Sequence, residues 1–350
     1  MNADLERCLD DLERRISPET EERLEAEWYA FAAGMHGDGL FRPRRGTVSP
    51  PGTDWPKIPI NAALEDFELM ALHQYGLCSE VLASGGGALM NVRANYGTSI
   101  IPSMFGVRLY IMPEETDTLP TSWPLEREEI DRILDGGVPK ARAGVLSARA
   151  LDMSAFFAEI GARRPLLARY APVYHPDTQG PMDMCELLWG SSLFYALIEE
   201  PDRVKALLNL ITGAYLNFMA AWRADHPIEP EYNRHWGMCF RGAIMLRNDS
   251  CMNLSPEMVR EFVAPRDQLL LDAFGGGAIH FCGRGDHFVS VLAGLRGVTA
   301  VNISQPELNN LETILSHTVD RGVNLIGLAA DHAERLLASG RPLHGRVHAL

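Results

Sequence analysis

Between residues 166 and 332 short apolar runs alternate with helical repeats, and that alternation restricts the fold more than any other feature of the chain. Apolar runs at 166–174, 240–246, 277–282, 298–303 and 323–329 are separated by helical stretches at 182–198, 200–222, 255–274, 288–295 and 308–321. The runs are too apolar to leave one face in water, so they read as parallel strands covered by helices. Two helix starts are explicit: Glu200-Pro201-Asp202, and Ser255-Pro256-Glu257 with Ser at the cap and Pro in the first turn. A chain of 350 residues with polar residues placed repeatedly just after its strands is expected to close into an eight-stranded TIM barrel. An open doubly wound sheet is the alternative.

A barrel gathers the carboxyl ends of its strands at one face, where active sites are built. His175, Asp177, Asp249, His280, Cys282, Asn302, Gln305, Asp331 and His332 are all expected around that rim, with Asn302 and Gln305 as substrate-binding residues. In His280-Phe281-Cys282 the strand alternation sends His280 and Cys282 to one face and Phe281 to the other. An imidazole and a thiolate converging at a strand end are two legs of a soft metal site, and zinc suits mixed nitrogen and sulfur donors. The competing reading of an isolated pair is a core histidine beside a buried thiol.

Asp249 follows a strand as a candidate proton donor or holder of a substrate ammonium, against a helix-capping role. His175 and Asp177 are catalytic candidates, against ordinary His-Pro-Asp turn chemistry. His287 belongs on the following helix, as a surface residue or as support for the metal ligands.

The formal net charge of −14 argues against a dedicated nucleic-acid binder, which must neutralise phosphates, and favours a small-molecule substrate. The six cysteines are scattered and form no Cys-x-x-Cys pair, so neither a disulfide framework nor a zinc ribbon is indicated and a reducing, cytoplasmic compartment is expected. The amino terminus lacks the basic-then-apolar order of a signal peptide. The uncharged stretch 206–222 is interrupted by Asn209, Thr212, Gly213 and Asn217, so it reads as an amphipathic or buried helix and no membrane partner is expected.

The first half of the chain is less regular. Residues 1–36 carry two charged helical segments and read as an N-terminal helical extension to a single domain over 37–350. Residues 37–59 form an extended loop whose Phe41-Arg-Pro-Arg-Arg45 cluster is either solvated or an anion clamp. After a turn at Ser84-Gly-Gly-Gly87 and a buried strand at 88–92, Arg93, Asn95 and Tyr96 are candidate substrate-binding residues. A structural arginine in a core-edge ion pair is the competing reading for Arg93. The triple glycine lacks Walker or dinucleotide spacing.

Three segments carry a family resemblance. Leu254-Ser-Pro-Glu-Met-Val-Arg-Glu-Phe-Val-Ala-Pro265 resembles a characteristic helix of the uroporphyrinogen decarboxylase superfamily. His280-Phe-Cys282-Gly283 resembles its His-x-Cys-Gly strand end, and Glu199-Glu-Pro-Asp-Arg-Val-Lys-Ala-Leu-Leu208 is similar to another of its helices. The resemblance covers about residues 165 to 332 and implies a TIM barrel.

The resemblance implies one of two chemistries. Uroporphyrinogen decarboxylases use no metal and grip a tetrapyrrole's carboxylates with arginines of an N-terminal loop, a motif missing here. Zinc-dependent methyltransferases move a methyl group between a corrinoid and a thiol, holding zinc through His-x-Cys and a later Cys. His280 and Cys282 match the first two positions, but no cysteine follows Cys282. Asp331 or His332, beside the position of the missing cysteine, is therefore expected as the third ligand.

The leading expectation is a zinc methyltransferase. Its corrinoid comes on a partner carrier protein, because the chain has no corrinoid-binding Asp-x-His-x-x-Gly motif. A decarboxylase of uroporphyrinogen or another small carboxylic acid is the alternative, and a non-catalytic tetrapyrrole- or corrinoid-binding barrel the second.

Overall fold

A computed structural model describes residues 1–226 and 231–350. The chain divides into two compact units. The first comprises Met1–Leu24, Arg44–Thr178 and Met184–Pro227; the second comprises Glu25–Pro43, Gln179–Asp183 and Ile228–Leu350. Among the described residues the strands are β1 (Leu40–Phe41), β2 (Leu109–Tyr110), β3 (Thr121–Ser122), β4 (Tyr232–His235), β5 (Met238–Arg241), β6 (Ile244–Arg247), β7 (Gly277–Phe281), β8 (Val298–Ile303), β9 (Asn324–Leu328) and β10 (Val347–Ala349).

The first unit is mainly helical. Helix Ala3–Arg15 is tied to helix Phe67–Ser84 by Arg15, which donates to Ser79 O at 2.8 Å and Ser79 Oγ at 2.6 Å. Helix Pro201–Asp225 is long and apolar enough to cross a membrane by length and composition alone, and half of its most apolar window is buried. Val204, Leu207, Leu208, Ile211, Tyr215, Phe218, Met219 and Trp222 form its buried side, and Trp222 Nε1 donates to Ser154 Oγ at 3.1 Å. It is packed as a core helix, the arrangement read from its polar interruptions.

Residues 166–174 are not the expected strand. Pro165 starts a helix, Pro165–Tyr170, and the Glu13 carboxylate accepts the Leu166 N–H at 3.0 Å in its first turn. Leu167 and Tyr170 are buried at helical spacing, so an apolar run that looked like a strand is one short helical turn. Only Val173 keeps strand character, in a single parallel bridge to Val92. The strand expected at 88–92 is likewise reduced to that bridge.

The second unit holds a six-stranded parallel sheet in the order β1-β10-β9-β8-β7-β6. Strands β6 to β9 are almost wholly buried, as expected of a sheet covered on both faces. The strands expected at 298–303 and 323–329 are β8 and β9. The expected strand at 240–246 is broken at Gly242, whose φ of +96° only glycine adopts readily. Its first part, β5, pairs antiparallel with β4, and its second part, β6, joins the sheet. β1 and β10 lie where a loop and an unassigned tail were read, since two or three residues carry too little pattern to be recognised.

Helix boundaries follow local chemistry. Ser255 caps Pro256–Met258 by accepting the Met258 N–H at 3.3 Å. The next turn, Val259–Val263, widens to a π-turn ahead of Pro265, which has no N–H for the Glu261 carbonyl. Arg266 Nη1 donates to that carbonyl instead, at 3.3 Å. The helix expected over 182–198 is two, Pro181–Trp189 and Ser192–Glu199, divided at Gly190 with φ +63°.

Candidate metal centre

The site forms at the carboxyl ends of β6, β7 and β8. Gly277 lets β7 lie close against β6, since a Cβ there would sit 1.9 Å from Ile244 O. The register then puts Arg247, His280 and Asn302 side by side in adjacent strands. Cys282 follows two residues after His280, and Asp249 two residues after Arg247, so both reach past the strand ends on the same side.

One donor atom from each of Asp249, His280 and Cys282 falls within 4.8 Å of the other two. His280 Nε2 is 3.5 Å from Cys282 Sγ and 3.6 Å from Asp249 Oδ1. A tetrahedral ion bound at roughly 2.0–2.3 Å keeps its donors about 3.3–3.8 Å apart, so both separations suit one shared ion. Nitrogen, sulfur and oxygen donors together fit zinc better than magnesium or calcium, which take oxygen. The group could hold a metal ion.

The donors are held by their own surroundings. Asp249 Oδ1 accepts the Cys282 N–H at 2.7 Å, joining the two strand ends. Asp183, a buried residue, accepts the N–H groups of Asp249 at 2.9 Å and Ser250 at 2.8 Å. Burial first, and the Asp249 charge second, push the Asp183 carboxyl well above the usual carboxylate range against the pull of those N–H groups. The amide of Gln179, oriented by its neighbours, donates to Asp183 Oδ2 at 2.7 Å and accepts from Arg247 Nη1 at 3.3 Å.

On the other side, Gln305 Oε1 accepts the Gly283 N–H at 2.6 Å, and Asn309 Oδ1 accepts those of Gly285 and Asp286. The glycine-rich turn after Cys282 is thereby tied to the segment after β8.

Burial raises the Cys282 thiol above its ordinary value; its hydrogen bond to Ser304 and the charge of Arg247 oppose this, and Asp249 adds to it. A cysteine nucleophile needs the opposite shift. The environment therefore suits a thiol that ionises on taking a metal better than one standing as a free thiolate.

No protein-family model matches the chain, and a search of curated proteins finds no relative. The chemistry must be read from the donors themselves.

Among the described residues, the third donor beside His280 and Cys282 is Asp249 rather than Asp331 or His332. Asp331 and His332 open helix Ala330–Ala338; they pair with each other at 3.1 Å, and Asp331 also pairs with Arg335 at 2.9 Å. That helix begins directly after β9, so its first turn engages its own side chains.

Asn302 and Gln305 are at the site, but as partners of His280 and Gly283. His287 lies just after the turn, its Nε2 3.1 Å from Leu254 O. Arg93, Asn95, Tyr96, His175 and Asp177 belong to the first unit. There Arg93 pairs with the buried Asp177, and His175 Nδ1 lies 2.8 Å from Pro176 O. Burial works against the Arg93 charge, but Asp177 and Tyr174 outweigh it and hold the guanidinium protonated. Asn95 and Tyr96 are buried, and burial pushes the Tyr96 hydroxyl up to about 12.

Sequence reading missed Asp183, Trp236, Arg247 and Ser304. Trp236 and Gly237, with φ of +50° and +75°, form the two-residue turn between β4 and β5. A tryptophan is an uncommon resident of that backbone region. Its indole meets the His280 ring edge-on at 4.9 Å, and the Arg247 guanidinium lies 4.5 Å over its face. Arg247 could have been found from its place two residues before Asp249; Asp183 is distant in sequence and carries no such signal.

Proposed function

We propose that the protein is a zinc-dependent methyltransferase with a TIM-barrel fold of the uroporphyrinogen decarboxylase superfamily, moving a methyl group between a corrinoid on a carrier protein and a thiol acceptor. The observation that carries this reading is the convergence of Asp249, His280 and Cys282 at the carboxyl ends of neighbouring parallel strands. The six parallel strands of the second unit are compatible with part of such a barrel.

His280, Cys282 and Asp249 would hold the ion, leaving a fourth position for substrate. Bound zinc supplies Lewis acidity that keeps an acceptor thiol ionised near neutral pH. The chain's own groups do the rest. Trp236 walls the imidazole, Arg247 adds positive charge at the same level, and Ser304 Oγ, 3.5 Å from Cys282 Sγ, is placed to donate to the sulfur once it ionises. Asp183 fixes the loop that carries Asp249. The reading as a decarboxylase is less favoured, because Arg93, its candidate carboxylate grip, is engaged by Asp177.

The test is methyl transfer from methylcobalamin to a small thiol, comparing zinc-loaded, metal-stripped and Cys282→Ala protein. Zinc-loaded wild type is expected to transfer, and the other two to fall at least about a hundredfold. Zinc-loaded protein that transfers no methyl group to any thiol tried would contradict the reading.

A further inference from the structure

The pair Asn302 and Gly327 carries an inference that rests on the metal-site reading and extends it. Asn302 Nδ2 lies 2.7 Å from the Ile326 carbonyl, which can only accept, so this atom is the amide nitrogen. The other end, Oδ1, lies 2.7 Å from His280 Nδ1 and can only accept. His280 Nδ1 must then carry the proton. In the neutral ring that leaves the lone pair on Nε2, the atom facing Cys282 Sγ and Asp249 Oδ1.

Asn302 has room for this only because of Gly327. That residue sits inside β9 with φ +74°, and a Cβ there would lie 2.6 Å from Asn302 Nδ2 and 2.9 Å from Met238 Sδ. The bent backbone is pinned from the neighbouring strand, where His348 Nδ1 accepts the Gly327 N–H at 3.0 Å. A glycine weakens a strand interior unless close approach requires it. The side chain requiring it is the one that orients the imidazole.

We infer that Asn302 is a positioning residue that sets the tautomer of His280 for metal binding through Nε2, and that Gly327 is the backbone gap that seats it. The arrangement matches the usual support of a metal-bound histidine, whose second ring nitrogen donates to a fixed acceptor, and its loss commonly costs about 10- to 100-fold in metal affinity.

The test uses full-length protein with labelled histidine. Nitrogen NMR of the metal-free form reads the His280 tautomer, and zinc titration reads affinity. Wild type is expected to show Nδ1–H. Asn302→Leu is expected to lose that preference and bind zinc about 10- to 100-fold more weakly, whereas Asn302→Asp keeps the acceptor and the Nδ1–H form. Gly327→Ala should act like Asn302→Leu without touching the ring.

Nε2–H in wild type would overturn the inference, as would Asn302→Leu with the wild-type tautomer and affinity. If wild type takes no zinc, the functional reading fails. Should Asn302→Leu fail to fold, Asn302→Ala removes the same acceptor without adding bulk: loss of the Nδ1–H preference is expected, and the wild-type tautomer in it would overturn the inference.

Discussion

The centre at Asp249, His280 and Cys282 and the pair Arg93 and Asp177 are both polar clusters placed just beyond parallel backbone pairings, and they differ in charge balance. In the first unit a cation meets an anion, and the two neutralise one another with nothing further required. In the second unit three electron-pair donors converge, with Asp249 and Cys282 both anionic once the thiol ionises. A buried ion pair closes upon itself, whereas a cluster of donors is completed by a cation. The lesson is that a polar residue after a strand becomes a candidate site only when its neighbours repeat its chemistry instead of cancelling it.

The sharpest way to break the comparison is Asp177→Ala, which leaves Arg93 charged and buried without its carboxylate. Such losses cost about 3–5 kcal/mol, so chemical denaturation should show a large drop in stability. Replacing both partners together, as Arg93→Met with Asp177→Leu, should cost much less. If Asp177→Ala is neutral, the pair is not the structural device described.

The donor cluster should respond the opposite way. Cys282→Ala is expected to weaken zinc binding at least about a hundredfold, roughly 2.7 kcal/mol, while leaving the metal-free protein nearly as stable as wild type. A zinc titration together with a melt of the metal-free form separates these effects.

His348, which pins Gly327, gives a pH signature to the support behind His280. Burial depresses its pKa to about 3, so above the unfolded value near 6.5 both states are neutral and its contribution is complete. As pH falls from about 6.5 towards 3 the unfolded chain takes up a proton that the native ring refuses. Stability should then fall by up to about 1.4 kcal/mol per pH unit from this group. His348→Gln, which keeps an acceptor for the Gly327 N–H, should flatten that slope in denaturation measured across the range.

The smallest effect is expected at Asp331. Its pairing with His332 and Arg335 is exposed and screened by water, so Asp331→Ala should leave both zinc affinity and stability close to wild type. A marked loss of zinc binding would return Asp331 to the ligand set.

Much of the parallel sheet was legible because β6 to β9 are long enough, and apolar enough, to show as buried runs. His280 and Cys282 were legible because strand alternation fixes their common face without any tertiary knowledge. Asp249 was visible as a residue after a strand, but its place beside His280 and Cys282 depends on the β6–β7 register, which Gly277 sets through close backbone approach. Asp183 and Trp236 were hidden: one arrives from a helix start far back in the chain, the other on a turn whose left-handed tryptophan follows no composition rule. The misread run at 166–174 shows the limit of periodicity, since a short apolar segment fits a strand or a helical turn equally well until Pro165 and Glu13 are taken into account.

The central claim, that Asp249, His280 and Cys282 form one metal centre, is tested most directly by metal analysis with X-ray absorption on zinc-loaded wild type and its Cys282→Ala and Asp249→Ala variants. The account predicts close to one zinc per chain in wild type, with one sulfur neighbour at about 2.3 Å and nitrogen or oxygen neighbours at about 2.0–2.2 Å. It predicts loss of the sulfur shell in Cys282→Ala and weakened binding in Asp249→Ala. Wild type without bound zinc, or an unchanged sulfur shell in Cys282→Ala, would contradict it.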